Sequence, residues 1–539
     1  MPRTPKASPH APSTMKELKD TLWKAADKLR GSMDASQYKD VILGLVFLKY
    51  VSDAFDERRA GIRVELAADG YNEDQIAELI DDTDEYTGRG VFWVPAIARW
   101  GFLAENAKGL EPSTGSSGKP VGALVDDAMD AVMQANPQLS GTLPRIFNRD
   151  NVDQRRLGEL LDLFNSARFT TQGQGGADGR RARDLLGEVY EYFLEKFAAA
   201  EGKRGGEFYT PAGVVRVLVE MLQPTRGRVY DPACGSGGMF VQAEKFIDAH
   251  HGEGSDISVY GQELNERTWR MAKMNLAIHG LNGNLGPRWG DTFARDLHAD
   301  LQFDYVMANP PFNIKDWARN EDDPRWRFGV PPASNANYAW IQHVLSKLKP
   351  DGQAGVVMAN GSMSSNSGGE GHIRAEIIEA DLVSCMVALP TQMFRSTGIP
   401  VCVWFFAKDK GARAGEVLFI DARNLGHMVD RAERALSDDD IARIASTFHL
   451  WRGVESDAAP GEYADIPGFC YSASLAEVKA ADYALTPGRY VGAKAAAEDG
   501  EPIEEKLARL RAELEAQFAE SSRLAKVVHE QLERVDVIG

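Results

Sequence analysis

The tetrapeptide Asn309-Pro310-Pro311-Phe312, which follows an apolar run, is the feature of the sequence best suited to chemistry. Two successive prolines fix the backbone φ and leave the nearby carbonyls without competing ladder partners. The amide oxygen of Asn309 and the carbonyl of Pro310 can therefore converge on one exocyclic NH2 group. Phe312 offers a flat face for a stacked base, a contact worth ~1 to 3 kcal/mol. A turn with only a structural role is the alternative.

A glycine-rich turn, DPACGSGG, begins at Asp231 and ends at Gly238, after another apolar run. We expect the glycines at 235, 237 and 238 to adopt positive φ and to let the backbone approach a ligand, while Asp231 can accept a hydrogen bond from a ligand amino group. Many such turns merely close a βα unit. Phe240 takes the third glycine position of the dinucleotide fingerprint, and GxxxxGK[ST] is absent, which disfavours nicotinamide and nucleoside triphosphate ligands.

Two further acids follow predicted strands and are candidates for holding other parts of the same ligand. Glu263 follows a strand that ends near Gly261, and it could hold both hydroxyls of a ribose. Asp291 lies in the turn Gly290-Asp-Thr and could accept from an adenine amino group. The simpler alternatives are a solvated loop acid at 263 and a turn-forming or capping aspartate at 291.

Short β-rich runs alternate with helical segments from about residue 214 onward, and the candidate residues follow these runs. Several of the runs suit strands that are buried on both faces, so the pattern predicts a doubly wound, mostly parallel sheet of the α/β class. Ligands of such sheets bind beyond the carboxyl ends of the strands. The predicted strands cover residues 228–231, 259–262, 303–309, 354–359, 382–389 and 402–406.

The regions on either side of this sheet are predicted to be helical. A loop rich in Pro, Gly and Ser interrupts the N-terminal region at 110–122, and a second flexible stretch at 172–179 precedes another helix. From Leu507 to Val535 apolar residues recur every three or four positions, a heptad stripe that needs a covering surface in this chain or in a partner. We therefore divide the chain into a helical domain at 1–165, an α/β domain at 166–480 and a helical tail at 481–539.

Composition limits the classes of function. A chain of 539 residues can hold two or three domains, but its net charge of −18 predicts weak binding to DNA by itself. The longest apolar run, 41–48, is far shorter than the ~20 residues of a membrane span, and no secretory signal precedes it, so we expect a cytoplasmic protein without a membrane segment. The four cysteines are far apart and predict neither a zinc site nor a disulfide framework.

Taken together, these motifs resemble the γ-type amino-methyltransferases that modify DNA bases. The resemblance rests on GEFYTP at 206–211, DPACGSGG at 231–238 and NPPF at 309–312, in that order. NANYAWIQHVL, VMANGSMSS and LTPGRYVG, together with the helical N-terminal region, are similar to the modification subunits of type I restriction-modification systems. The similarity extends over nearly the whole chain. Cys234 stands where many relatives carry a different small residue.

The resemblance implies a Rossmann-like sheet and transfer of a methyl group from S-adenosylmethionine to N6 of adenine in double-stranded DNA. The target base must leave the duplex, and Asn309 and Pro310 would then accept both of its amino protons, with Pro311 and Phe312 completing the catalytic turn. No metal is required. The cofactor residues implied are Glu207, Phe208, Tyr209, Thr210, Pro211, Ala212, Asp231, Ser236, Gly237, Gly238, Glu263 and Asp291.

The same resemblance implies partners. A DNA-specificity subunit would bind two copies of this chain and supply base readout, for which no sizeable segment remains after NPPF, and a restriction subunit could join them. Two other functions stay open: glutamine-N5 methylation of a protein, because similar turns hold amides, and a catalytically silent scaffold. Phe312, the helical N-terminal region and the tail argue against the first, and the intact cofactor residues argue against the second.

Overall fold

Helices form the N-terminal part of the molecule. The structure, a computed structural model, describes residues 19–20, 22–24, 27, 35–107, 118–166, 182–201, 210–251, 256–394, 399–431, 433–454, 461–493 and 503–535. The helices before the sheet are α1 (Ala35–Ala68), α2 (Glu73–Leu79), α3 (Asp84–Thr87), α4 (Trp100–Glu105), α5 (Val121–Ala135), α6 (Gln154–Ser166) and α7 (Ala182–Glu201).

Helix α1 is the centre of this helical region. Its residues 41–53 are buried on every side, as expected of a helix without a polar face. Two charged side chains in that stretch, Lys49 and Asp53, lie one turn apart and form an ion pair at 2.5 Å, which offsets the cost of their burial. Met271 and Met274, from the α/β region, join the same hydrophobic core. The helical region therefore packs directly against the α/β region.

The prediction of a loop at 110–122 is wrong for its last two residues, which are helical. Helix α5 begins at Val121 and contains Gly122. A Cβ at Gly122 would collide with the main chain of Phe147, so this glycine allows close packing and does not mark a flexible linker. The predicted flexible stretch at 172–179 lies outside the described residues.

The rest of the chain builds a large mixed sheet with helices around it. Its strands are β1 (Arg226–Asp231), β2 (Asp256–Gly261), β3 (Gly283–Asn284), β4 (Phe303–Ala308), β5 (Leu348–Ala359), β6 (Val383–Ala388), β7 (Val401–Ala407), β8 (Glu416–Asp421), β9 (His427–Met428), β10 (Arg434–Ala435) and β11 (Cys470–Ser474). The helices are α8 (Ala212–Leu222), α9 (Gly238–His251), α10 (Glu266–Ile278), α11 (Asn337–Lys347), α12 (Glu370–Glu379), α13 (Asp438–Arg452), α14 (Leu475–Ala480) and α15 (Ile503–Val535).

Nine of these strands form one sheet in the order β11-β8-β6-β7-β5-β4-β1-β2-β3, and β9 pairs with β10 separately. Strands β5, β4, β1, β2 and β3 are parallel neighbours, whereas β7 runs antiparallel to both β5 and β6. The predicted doubly wound, mostly parallel sheet is confirmed. Strands β3, β8 and β11 are additions that the sequence pattern did not indicate.

The two faces of the sheet have separate hydrophobic cores. Successive residues of β7 show this: Val403 and Phe405 belong to one core, while Trp404 and Phe406 belong to the other. Side chains of a strand point alternately to opposite faces, so a strand with both faces covered must be apolar throughout. This explains the continuous apolar runs in the sequence.

The C-terminal helix α15 carries the predicted heptad stripe. Every described side chain from 507 to 529 is exposed, including large apolar ones such as Leu514 and Phe518. The apolar stripe is thus not covered by the described part of this chain. Within the same described ranges, no helix is long and apolar enough to cross a membrane.

Candidate active site

Three of the candidate side chains lie at one edge of the sheet. Asp231 ends β1, Glu263 follows the end of β2, and Asn309 follows the end of β4. These strands are adjacent and parallel, in the order β4-β1-β2, so their carboxyl ends point the same way. The topology therefore brings together residues that are far apart in the chain.

The glycine-rich turn follows β1, and a side chain of helix α10 holds its backbone. Gly235 and Gly237 have φ of 54° and 79°, which a residue with a Cβ rarely adopts. The Asn275 side-chain amide donates to the carbonyl of Ser236 at 2.9 Å. The expected positive φ is wrong for Gly238, which instead begins helix α9, and an added Cβ there would meet nothing within 4 Å. Space for a ligand thus remains beside the start of that helix.

Asp231 and Glu263 face the same turn from two strands. Asp231 is 2% exposed, and one of its oxygens accepts from the Ala233 N–H at 2.9 Å. Burial, with a contribution from the negative charge of Glu263, raises the pKa of Asp231 to about 8. The carboxylate of Glu263 accepts from the Gly235 N–H at 3.1 Å and from the Asn265 N–H at 2.8 Å. Burial also raises the pKa of Glu263.

Asp291 lies next to this pair. Its Oδ1 accepts from the N–H of Phe293 at 2.8 Å, so the aspartate does cap a turn, as the simpler alternative predicted. The turn is held against the other two acids because the Gly290 N–H donates to the Glu263 carbonyl at 2.8 Å. A capping role leaves other carboxylate lone pairs for a ligand.

Asn309 has one satisfied end and one unsatisfied end. Its Nδ2 donates to Oγ1 of Thr210 at 3.0 Å, which orients the amide. Its Oδ1 is buried and has no hydrogen-bond partner among the described residues. A buried acceptor without a partner costs ~1 to 3 kcal/mol, so such an atom is a candidate for binding a donor from outside the chain.

The other residues of the tetrapeptide flank this acceptor. No N–H of the described residues donates to the carbonyl of Pro310, which is therefore also available. The Phe312 ring is partly buried, with its centroid 6.3 Å from that of Phe394 and nearly perpendicular to it. An acceptor pair beside an aromatic ring suits a flat heterocycle that bears an amino group.

The remaining predicted cofactor residues precede helix α8. Glu207, Phe208 and Tyr209 lie outside the described residues. Pro211 and Ala212 start helix α8. Thr210 contacts the amide of Asn309, a link that its position in the GEFYTP motif did not indicate.

Two residues near the site were missed by sequence reasoning. Leu264 follows Glu263 directly and is 64% exposed, so its side chain is accessible to a ligand that lies beside Glu263. Arg325 is largely buried and donates to the carbonyls of Thr292 and Phe293, beside Asp291. The position of an apolar residue directly after a strand-end acid could have indicated Leu264. Nothing in the sequence pattern distinguishes Arg325 from other arginines.

Comparisons with known proteins identify the family of the chain. The N-6 DNA methylase family matches residues 181–499, and the HsdM N-terminal domain family matches residues 18–164. The chain is 48% identical to the type I restriction enzyme HindI methylase subunit of Haemophilus influenzae, over 81% of this chain and 99% of that one. It is 38% identical to the type I restriction enzyme MjaIX methylase subunit of Methanocaldococcus jannaschii, over 96% and 91%.

Among solved structures, the fold is similar to that of a type I restriction-modification methyltransferase subunit from Streptococcus thermophilus. The TM-score is 0.70 at 24% identity, and the match covers 89% of this chain and 100% of that chain. The similarity supports the arrangement of a helical region, a mixed sheet and a C-terminal helix.

Proposed function

The chain belongs to the N-6 DNA methylase family and to the methylase subunits of type I restriction enzymes, and from this membership we propose that it methylates N6 of adenine in double-stranded DNA. The structural observation that carries the proposal is the buried Oδ1 of Asn309 at the carboxyl edge of the sheet, which has no hydrogen-bond partner among the described residues. An amide acceptor of this kind fits one proton of an exocyclic amine.

The residues present fit S-adenosylmethionine as the methyl donor. The buried acid Asp231 can bind the amino group of its methionine part, together with the turn at Ser236 and Gly237 and the open space at Gly238. Glu263 can accept from the ribose hydroxyls and Asp291 from the adenine amino group. The exposed side chain of Leu264 can then cover an apolar face of the ring. By family resemblance, Glu207 to Ala212 complete the methionine end.

In the reaction, this chain's residues mainly position the acceptor base. Asn309 Oδ1 and the Pro310 carbonyl each accept a hydrogen bond from one N6 proton of a flipped adenine, and Phe312 stacks on the adenine ring. The Thr210 hydroxyl keeps the Asn309 oxygen turned toward the base. S-adenosylmethionine supplies a methyl group activated on a sulfonium centre. The hydrogen bonds from both N6 protons to these oxygens make N6 more nucleophilic without removing a proton, so no strong general base is needed and catalysis rests on orientation and electrostatics.

The acidic charge of the chain makes a partner necessary for tight DNA binding. At a net charge of −18, few phosphates can be neutralised by this chain alone. A DNA-specificity subunit supplies the base contacts and positive surface, takes two copies of this chain, and leaves room for a restriction subunit. The exposed stripe of α15 is the surface proposed to pack on it. The complex acts in the cytoplasm, where its DNA substrate is. Within this chain, the boundaries at residues 165 and 480 separate the helical domain, the methyltransferase domain and the partner-binding tail.

The test uses the chain purified with its specificity subunit, labelled S-adenosylmethionine, and duplex DNA, followed by nucleoside analysis. We expect N6-methyladenine from the wild type, and a loss of at least about tenfold in rate for Asn309→Ala with the cofactor Kd changed less than about threefold. Retention of more than about a tenth of the wild-type rate would remove Asn309 from the catalytic turn.

The same assay separates the two alternatives. Label in glutamine of added protein, with none in DNA, would indicate protein methylation. Assembly with the specificity subunit but no label in either substrate would indicate a silent scaffold.

A further inference from the structure

The guanidinium of Arg325 holds the turn that carries Asp291. Its Nη1 donates to the Thr292 carbonyl at 2.8 Å and its Nη2 donates to the Phe293 carbonyl at 2.9 Å. These two residues directly follow Asp291, whose carboxylate caps the same turn. The Arg325 side chain is 12% exposed, and hydrogen bonds shielded from water are stronger than exposed ones.

The remaining donors of Arg325 are also used. Nε and Nη2 donate to the Asp323 carboxylate at 2.9 and 2.5 Å, and Nη1 donates to Nδ1 of His343 at 3.0 Å. A guanidinium has five N–H donors in a rigid planar fork, and each one meets an acceptor here. A lysine ammonium, with three donors on one atom, cannot reproduce this pattern.

His343 extends the network toward Asp231. It is fully buried, and burial lowers its pKa to about 3, so the ring is neutral at pH 7. Because Arg325 can only donate, Nδ1 of His343 must accept, and the proton is on Nε2. Nε2 lies 3.2 Å from the hydroxyl of Tyr230, the residue before Asp231 in β1. Arg325 thus contacts the turn of Asp291 directly and, through His343, is linked to the residue before Asp231.

Arg325 belongs to the segment 313–335, which leads from the NPPF turn to helix α11 and contains no regular helix or strand. Packing alone could fix such a segment, and aromatic side chains do pack there. However, packing does not require a guanidinium whose five donors are all used, two of them on the backbone carbonyls that follow Asp291. We propose that Arg325 is a positioning residue that acts through Asp291 and sets the preference of the cofactor site for adenine.

This inference rests on the proposed function, since it assumes that Asp291 accepts from the cofactor's adenine amino group. The test measures binding of S-adenosylhomocysteine and of S-inosylhomocysteine, in which oxygen replaces that amino group. Arg325→Lys should raise the Kd for the adenosyl ligand at least about tenfold and lower the adenosyl-to-inosyl preference. With Asp291→Asn already present, Arg325→Lys should change the preference little further, because the two residues act in series.

Arg319→Lys is the matched control. Arg319 lies in the same segment, where it donates to the Pro331 carbonyl at 2.8 Å and pairs with Glu321, and it has no bond to the turn of Asp291. It should leave both Kd values within about twofold of the wild type. If Arg325→Lys does not fold, Asp323→Asn, which loosens the same guanidinium, should lower the preference in the same direction.

The proposal is overturned if Arg325→Lys keeps the wild-type preference, or if it weakens both ligands equally and adds fully to Asp291→Asn. Either result would reduce Arg325 to a structural residue. Failure of the proposed function would look different, because the wild type itself would then bind neither ligand or would bind the adenosyl ligand without methylating adenine in the duplex DNA assay.

Discussion

We expect the buried carboxyl of Asp231 to carry a proton and to lose it when the proposed cofactor binds. Burial, aided by the charge of Glu263, raises its pKa to about 8. At pH 7 about nine-tenths of the free protein therefore has a neutral acid at this position. The ammonium of the methionine part favours the ionised form, so binding should release this proton.

The expected magnitude follows from that pKa. Binding at pH 7 should release a net of about 0.7 to 0.8 proton, because a ligand amino group with a pKa near 8 takes up roughly 0.1 to 0.2. Affinity should rise about eightfold from pH 6 to pH 7, reach a maximum near pH 8 and fall again above it, because the ligand amine then loses its own proton. Calorimetry with S-adenosylmethionine, in two buffers of different ionisation enthalpy and without DNA, measures the proton directly.

Asp231→Asn is the informative variant. Asparagine has the shape of the neutral acid, so the variant should fold normally at pH 7 but lose both the proton release and the rise of affinity with pH. The pH dependence of stability gives an independent check on the direction of the Asp231 pKa shift. The folded pKa of Asp231 lies above the unfolded one, so its contribution to stability is complete below about pH 4 and is lost as pH rises toward 8. The Asp231→Asn variant should lack this loss of stability with rising pH.

Glu263→Gln serves as the control, since removal of the neighbouring charge lowers the pKa of Asp231 and should reduce the proton release only partly. The reasoning is refuted if the wild type releases no proton, or if Asp231→Asn releases as much as the wild type. In the first case Asp231 is already ionised in the free protein or does not meet the ligand amine, and in the second case the released proton comes from another group.

Two further predictions concern the ribose acid and the tail. Glu263→Ala should weaken cofactor binding about tenfold or more, because it removes the proposed acceptor of the ribose hydroxyls and the support of the Gly235 N–H; unchanged affinity by calorimetry would exclude Glu263 from the site. Removal of residues 500–539 should prevent co-purification with the specificity subunit, or methylation of DNA, before it affects cofactor binding. Phe518→Glu on the exposed apolar stripe should weaken assembly, whereas Arg511→Glu at another exposed position of α15 serves as its control. Normal assembly and methylation by the truncated chain would show that the tail is not the partner surface.

Several features could be predicted because they depend on local sequence. Alternation of apolar strands with helices identified the parallel sheet, and the direction of parallel strands then placed Asp231, Glu263 and Asn309 at one edge. In these cases the residue types within about ten positions of one another carry the information.

Other features exist only because distant segments meet. Thr210 and Asn309 are 99 positions apart, and their hydrogen bond depends on the placement of helix α8 against β4. Arg325 looks like any surface arginine in the sequence, yet the fold surrounds it with acceptors from three segments. The raised pKa of Asp231 is likewise set by burial, which no local pattern reports. The sequence alone thus determined six of the nine strands of the large sheet and the chemical types of the residues at the site. The tertiary structure decided which groups are buried, paired or left unsatisfied, because solvent exclusion and long-range contacts arise only when the whole chain packs.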